Sequence, residues 1–165
     1  MFKKKNLSFI GGGMIAQIGH IPYYLEDTRC NVVSIYETRP SLIKYLKTNF
    51  EKIDIITDYR EIIENSIIDA VIICAPNEVN SYLGYESVVA EKNVFIEKPI
   101  AYTYEQTLKI HNKVLEKKVL YGLGFTKMFD YGILLAKKIF REALNSGEFG
   151  KIKQLHLEMP QDAFS

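Results

Sequence analysis

The chain has 165 residues, 47% of them hydrophobic and 25% charged, with only 5 Pro beside 10 Gly. These proportions suit one well-filled globular core and exclude disorder, collagen and coiled coil. Lys and Arg number 21 against 20 Asp and Glu, a formal net charge of +1, so neither a basic field for nucleic acid nor an acidic tail is present. Cys30 and Cys74 stand far apart in apolar surroundings, the pattern of neither a disulfide framework nor a zinc knuckle, and a reducing, cytoplasmic setting is expected.

Lys3, Lys4 and Lys5 ahead of the apolar residues 7–21 have the outline of a secretory leader, but three consecutive glycines and the polar Gln17 and His20 argue against it. No run approaches the ~18 uninterrupted apolar residues of a bilayer-spanning helix, so no membrane partner is expected.

Residues 7–10 form an apolar run entering a glycine turn, after which Met14, Ile18, Ile21 and Leu25 recur at helical spacing, with Pro22 marking a kink or a break. Residues 32–36 are a β-branched strand ending at Glu37, and Pro40 suits the first turn of a helix running to about Phe50. A shorter strand is expected over residues 53–57 and one or two helical turns over 59–64. Residues 70–75, the most hydrophobic run, stop at Pro76 and read as a central parallel strand covered on both faces. A helix over 79–92 leads to a strand over 94–96 that ends at Glu97-Lys98-Pro99. Thr103 and Gln106 form a capping box for a helix that packs through Leu108, His111 and Leu115, and residues 119–125 supply a sixth strand.

Alternating strands and helices with short connections predict an α/β fold: a Rossmann-like, mostly parallel sheet with helices on both faces. The chain then changes character. Phe129, Ile133, Ala136, Phe140 and Ala143 form a helical stripe ending near Asn145, and Gly147 and Gly150 bracket a turn. Residues 151–159 alternate, with Ile152, Leu155 and Leu157 apolar. This is one helix and one strand of an incomplete second α+β domain, giving domains at 1–122 and 123–165. A lone strand cannot pair its backbone, so its cover must come from further chain or from another copy, and a homo-oligomer is expected.

Gly11-Gly12-Gly13-Met14-Ile15-Ala16 fits G-x-G-x-x-A directly after the first strand. Gly11 permits the turn, Gly13 lets a pyrophosphate approach the backbone, and small Ala16 lets helix and strand pack closely. Met14 and Ile15 follow with free N–H groups facing the phosphates. Glu37 closes the second strand, where a carboxylate accepts hydrogen bonds from ribose hydroxyls and repels a 2′-phosphate; NAD is the favoured cofactor. Arg39 keeps NADP as the alternative, because it can pair with that phosphate if Glu37 turns away. An S-adenosyl ligand ranks lower, having no pyrophosphate for the helix start.

Ligands of open α/β sheets lie beyond the carboxyl ends of the strands, which brings the loops after Cys74 and Ile96 beside the cofactor. Ala75, Pro76 and Asn77 shape the loop under the nicotinamide half, with Asn77 also a candidate helix N-cap, while Cys74 itself reads as core. A charged pair at the end of a buried strand is costly unless used or exposed. Lys98 is therefore the candidate acid, or the group that polarises a developing alkoxide or carbonyl, with Glu97 holding its ammonium; periodicity alone leaves a plain surface ion pair as the alternative. Three dispersed histidines, His20, His111 and His156, give no metal cluster, and no metal is expected.

Taken together, Gly11 to Ala16 with His20 and Pro22, Glu37, Ala75-Pro76-Asn77, Glu97-Lys98-Pro99 and the closing Ser146-Gly147-Glu148-Phe149-Gly150-Lys151-Ile152 resemble the N-terminal half of the Gfo/Idh/MocA family, the glucose-fructose oxidoreductase and inositol dehydrogenase group. The resemblance implies an NAD(P)-dependent oxidoreductase acting on a secondary hydroxyl or ketone of a sugar, cyclitol or nucleotide-sugar. It also implies that Lys98 lies near the reacting carbon, with a catalytic histidine and its aspartate in a C-terminal half beyond these residues. The chain departs from the family pattern at Asn80, where a histidine is frequent, and at Met128, where an arginine often precedes the phenylalanine. The competing readings are a non-catalytic nucleotide-binding or assembly module and an empty Rossmann-like fold.

Overall fold

The computed structural model describes residues 3–147, 150–156 and 158, which fall into two compact units, Met1–Gly124 and Phe125–Ser165. In the first unit, six strands form one sheet: β1 (Lys5–Ile10), β2 (Cys30–Tyr36), β3 (Asp54–Ile56), β4 (Ala70–Ile73), β5 (Asn93–Ile96) and β6 (Tyr121–Leu123). Their order is β3-β2-β1-β4-β5-β6 and every pairing is parallel. The order reverses direction between β1 and β4, so a cleft opens beyond the ends of those two strands.

Alternation along the strands sorts the core into two layers. Phe9, Ile35 and Ile72 point to one face and pack with Ala16, with Ile21 of α1 (Ile21–Glu26) and with Leu46 of α2 (Pro40–Asn49). Ile10, Val71, Ile73, Val94 and Ile96 point to the other. There they meet Ile62 and Ile63 of α3 (Arg60–Ile63), Leu83 and Val88 of α4 (Asn77–Val89) and Val114 of α5 (Tyr104–Lys117). The central β4 is apolar on both faces because helices cover both, as its unbroken hydrophobic run requires.

The first helix departs from the expected stripe. Residues 16–20 form a π-helical turn, Ala16–His20, and α-helix resumes at Ile21 with Pro22 in its first turn, where the missing N–H costs nothing. The wider turn changes the register, so Ala16, His20 and Ile21 are buried while Met14, Ile18 and Leu25 are exposed. In α5, Thr103 caps as expected, its side chain accepting the Gln106 amide at 3.2 Å, but the Gln106 side chain reaches back to the Tyr102 amide at 3.1 Å. The buried face of α5 carries Ile110, and Leu108, His111 and Leu115 lie on the exposed side. The first misassignment comes from assuming regular helical spacing through a π turn, the second from reading Leu108 and Leu115 as the packing face where Ile110 and Val114 take it.

The second unit holds a 3-10 turn (Thr126–Phe129) and α6 (Tyr131–Ser146). The Asp130 side chain caps α6 by accepting the Gly132 amide at 3.0 Å, and Gly147 ends it in the left-handed region at φ +69°. No residue of α6 is buried. Among the described residues, 151–156 pair with no strand, so the described part of the expected strand forms no ladder. Leu157 and Met159 of that expectation, and Glu148 and Phe149 of the closing motif, lie outside the described residues. Among the described residues, no helix is long and apolar enough to cross a membrane.

Candidate functional site at the sheet switch point

The three glycines after β1 answer three different constraints. Gly11 sits at φ +100°, and a Cβ there would fall 2.5 Å from the Cys74 carbonyl oxygen, so the turn passes too close to the end of β4 for any side chain. A Cβ on Gly12 would fall 2.5 Å from Leu46 Cδ1 and 3.2 Å from Ile35 Cγ2, inside the core. At Gly13 the nearest atom would be Arg39 Nη2 at 3.7 Å, leaving the outer side of the turn open. The helical run starts at Met14, so its first N–H groups have no carbonyl behind them. Met14 and Ile15 keep their side chains exposed beside that opening.

Glu37 ties the turn to the end of β2. Its Oε2 accepts the Gly12 amide at 3.3 Å and Arg39 Nη2 at 2.8 Å; its Oε1 accepts the Thr38 amide at 2.9 Å and the Arg39 amide and Nε, each at 3.0 Å. Burial alone would raise this carboxyl, but the bonds from Arg39 and the backbone outweigh it and hold the group at about 2. Glu37 is buried, whereas the Arg39 side chain is 61% exposed, so the guanidinium is the solvent-facing partner of the pair.

A cavity of about 390 Å³ lies against these groups, lined by Gly11, Glu37, Thr38 and Arg39 on one side and by Cys74, Ala75 and Pro76 on another. Five of the residues expected from sequence therefore meet here: Gly11, Glu37, Arg39, Ala75 and Pro76. The far wall is apolar and aromatic, made by Tyr36, Tyr59, Val79, Tyr82 and Leu83, none of which the sequence reading selected. Tyr59 is central to it: its ring meets Tyr36 edge-on at 6.0 Å and Tyr82 edge-on at 6.3 Å, and its hydroxyl bonds to that of Tyr82 at 2.9 Å. Burial and that hydroxyl bond push Tyr59 up to about 12. Cys74 is also pushed up to about 12, by burial and then by the charge of Glu97, which makes it an inert wall and not a nucleophile.

Three expectations change. Asn77 is the first residue of α4 and exposed, and Pro76 holds the N-cap position with no side-chain bond, because an extended proline already sets the entry angle. Glu97 and Lys98 end β5 outside the cavity lining. Glu97 does not hold the Lys98 ammonium: its Oε1 accepts His20 Nε2–H at 2.9 Å and its Oε2 accepts the Lys98 backbone amide at 3.3 Å. The Lys98 side chain is exposed, and the Lys98–Pro99 peptide is cis. Among the described residues, no group of His, Cys, Asp and Glu is arranged to hold a metal ion.

A turn with one open glycine, a buried carboxylate beside it and an aromatic wall fit a dinucleotide laid over the switch point of a doubly wound α/β sheet. Residues 5–125 match the model of the GFO_IDH_MocA oxidoreductase family, which has an NAD-binding Rossmann fold, and the chain belongs to that family. It is 30% identical, over 93% of its length, to a 2,7-anhydro-N-acetylneuraminate hydratase of Mediterraneibacter gnavus, covering 39% of that protein. It is 32% identical over 57% of its length to the scyllo-inositol 2-dehydrogenase (NAD(+)) of Bacillus subtilis, covering 26% of that protein. The crystal structure of apo scyllo-inositol dehydrogenase from Lactobacillus casei superposes with a TM-score of 0.78 at 21% identity, over 87% of this chain and 43% of that one, a likeness of fold. The chain thus spans about two-fifths or less of the length of these relatives.

Proposed function

We propose that this chain is the cofactor-binding part of an NAD(P)-dependent oxidoreductase that acts on a secondary hydroxyl or ketone of a sugar-like or cyclitol-like molecule, with NAD preferred. The observation that carries this reading is the Gly12 amide to Glu37 carboxylate contact of 3.3 Å, which sets an acidic ribose acceptor directly beside an open glycine turn at the edge of one cleft. Family membership supports the cofactor class. The inositol and anhydro-neuraminate substrates in the names of two relatives support a polyhydroxylated substrate, and the second of those names, a hydratase, shows that net oxidation is not common to all relatives.

When bound, the nicotinamide supplies a hydride donor or acceptor at its C4. The amides that open the first helix face the diphosphate, and Gly13 leaves it room. Glu37 accepts the adenosine ribose hydroxyls once Arg39 turns outward, and its negative charge disfavours a 2′-phosphate in the same place. The tyrosine wall takes the flat base. Lys98, at the end of β5, gives its proton to the substrate oxygen or takes it back, and its positive charge stabilises that oxygen while it is anionic.

Calorimetric titration of the chain with NAD and with NADP tests the reading. NAD binding tighter than NADP is expected, and no heat from either at saturating concentration overturns it. NAD binding without turnover in the complete protein, across polyols and their ketones, points instead to a non-catalytic binding module.

A further inference from the structure

Glu97 is held by three elements that sequence places far apart. From the π-helical turn, His20 donates Nε2–H to Glu97 Oε1 at 2.9 Å across 77 residues of chain. From α4, Asn80 directs its Nδ2 at the Glu97 backbone oxygen at 3.5 Å, the outer limit of a hydrogen bond. After β6, Gly124 leaves space for the carboxylate, since a Cβ there would lie 2.9 Å from Glu97 Cδ. His20 is itself enclosed, 8% exposed, with its ring edge-on to Phe95 at 5.5 Å and stacked near Tyr24 at 6.4 Å.

The Glu97 side chain is 16% exposed, and a carboxylate this far withdrawn from water gains from a partner on each oxygen. Glu97 satisfies one with His20 and the other with the amide of the very next residue, Lys98, at 3.3 Å. The direction of the Lys98 peptide therefore depends on where the carboxylate is held, and among the described residues His20 is the side chain that holds it. The register change in the first helix is what brings His20 to Glu97. Wider helical turns of this kind recur at functional positions, and here the turn lies within one helical run of the glycine turn.

We propose that His20 is a positioning residue for Lys98, acting through Glu97, so that the helix rising from the dinucleotide turn sets the orientation of the lysine at the reacting end of the cleft. This rests on the assignment of Lys98 to the substrate oxygen. A purely structural His–Glu pair would stabilise the fold without a specific effect on the Lys98 peptide, and that difference is measurable without any turnover.

Amide hydrogen exchange, residue by residue, on the 165-residue chain is the test. In His20→Leu, which keeps the apolar contacts and removes the donor, the Lys98 amide is expected to exchange roughly tenfold faster, the factor for losing about 1.4 kcal/mol of hydrogen bonding, with the amides of Val71, Ile72 and Ile73 unchanged. His20→Gln, which restores an N–H donor, is expected to return it to within about threefold of the parent. If His20→Leu does not fold, Glu97→Gln tests the same chain of contacts, since His20 and Lys98 meet different carboxylate oxygens and one of these becomes an NH2 donor, and the Lys98 amide again exchanges faster. An unchanged Lys98 amide, a general acceleration across β4, or no rescue by Gln each overturns the proposal. In the complete protein, His20→Leu is expected to lower kcat with the NAD Kd within about twofold. A Lys98 amide that responds as expected in a protein where Lys98→Ala keeps full turnover would leave the positioning intact and remove the role assigned to the lysine.

Discussion

Arg39 grips Glu37 at two points, Nε to Oε1 at 3.0 Å and Nη2 to Oε2 at 2.8 Å, while the glycine turn holds the same carboxylate from the other side through the Gly12 amide. Because Glu37 is buried and Arg39 mostly exposed, the carboxylate is enclosed by the turn and the guanidinium covers it from the solvent side.

That pair makes the fold sensitive to acid. Glu37 titrates at about 2 in the folded chain against an ordinary 4.5, so its contribution to stability is complete above the ordinary value and is lost as the pH falls from there towards about 2. Arg39→Leu should raise the folded value and move the acid-unfolding midpoint, followed by far-UV circular dichroism, upward by roughly half a pH unit. At neutral pH the same variant should lose less than about 1 kcal/mol, since the guanidinium it removes is mostly exposed and solvent-screened and the backbone amides still hold the carboxylate. An unmoved acid midpoint would mean that the backbone amides alone hold the carboxylate.

Cofactor discrimination should follow the same two residues. Glu37→Gln should weaken NAD roughly tenfold, the effect of removing a charged acceptor, and narrow the gap to NADP. Arg39→Ala should weaken NADP more than NAD. Parallel calorimetric titrations decide it, and an unchanged NAD to NADP ratio in both variants would place the ribose elsewhere.

The glycines should separate folding from binding. Gly11→Ala, with a Cβ 2.5 Å from a backbone oxygen and φ at +100°, should destabilise the chain by at least about 2 kcal/mol. Gly13→Asp meets only Arg39 at 3.7 Å and should fold normally, yet lower NAD affinity more than tenfold by placing a charge against the diphosphate. Thermal melts and titrations on the two variants check both halves; full NAD affinity in folded Gly13→Asp contradicts the pose.

Lys98→Ala in the complete protein should depress turnover by about 100-fold or more while changing the NAD Kd by less than threefold, the signature of a group used in proton transfer and not in cofactor binding. Equal losses in both would reassign Lys98 to the cofactor.

Tyr82→Phe should remove one hydroxyl from the cavity wall and lower the titration of Tyr59 from about 12, leaving burial, with a smaller part from the charge of Glu86, to keep it raised. Ultraviolet titration of the tyrosines reads this directly. An unchanged Tyr59 would show that the 2.9 Å contact contributes nothing in solution.

The sheet and the glycine turn were legible because each carries a local pattern. β4 is an unbroken apolar run, and Gly11 to Ala16 lies directly after β1. Glu37, Arg39, Ala75 and Pro76 were legible for the same reason, since they follow strand ends that topology directs to one edge. Tyr36, Tyr59 and Tyr82 were not: they come from β2, the start of α3 and α4, and only the crossover connections bring them together. The His20 to Glu97 contact was hidden for a different reason. Sequence spacing assumes 3.6 residues per turn, and the stretch that presents His20 does not follow it, which also misplaced Met14, Ile18 and Leu25.

The surplus residue wound into Ala16–His20 is a wide turn that a shorter helix would not need. Deleting one of Gln17, Ile18 or Gly19 would let the coil relax to ordinary α geometry, a local gain, with the turns on either side kept nearly in line. What such a deletion would change is the approach of the imidazole, since His20 would then follow Ala16 by three places and point about 60° around the axis from it. The donor to Glu97 is therefore tied to the length of this one turn.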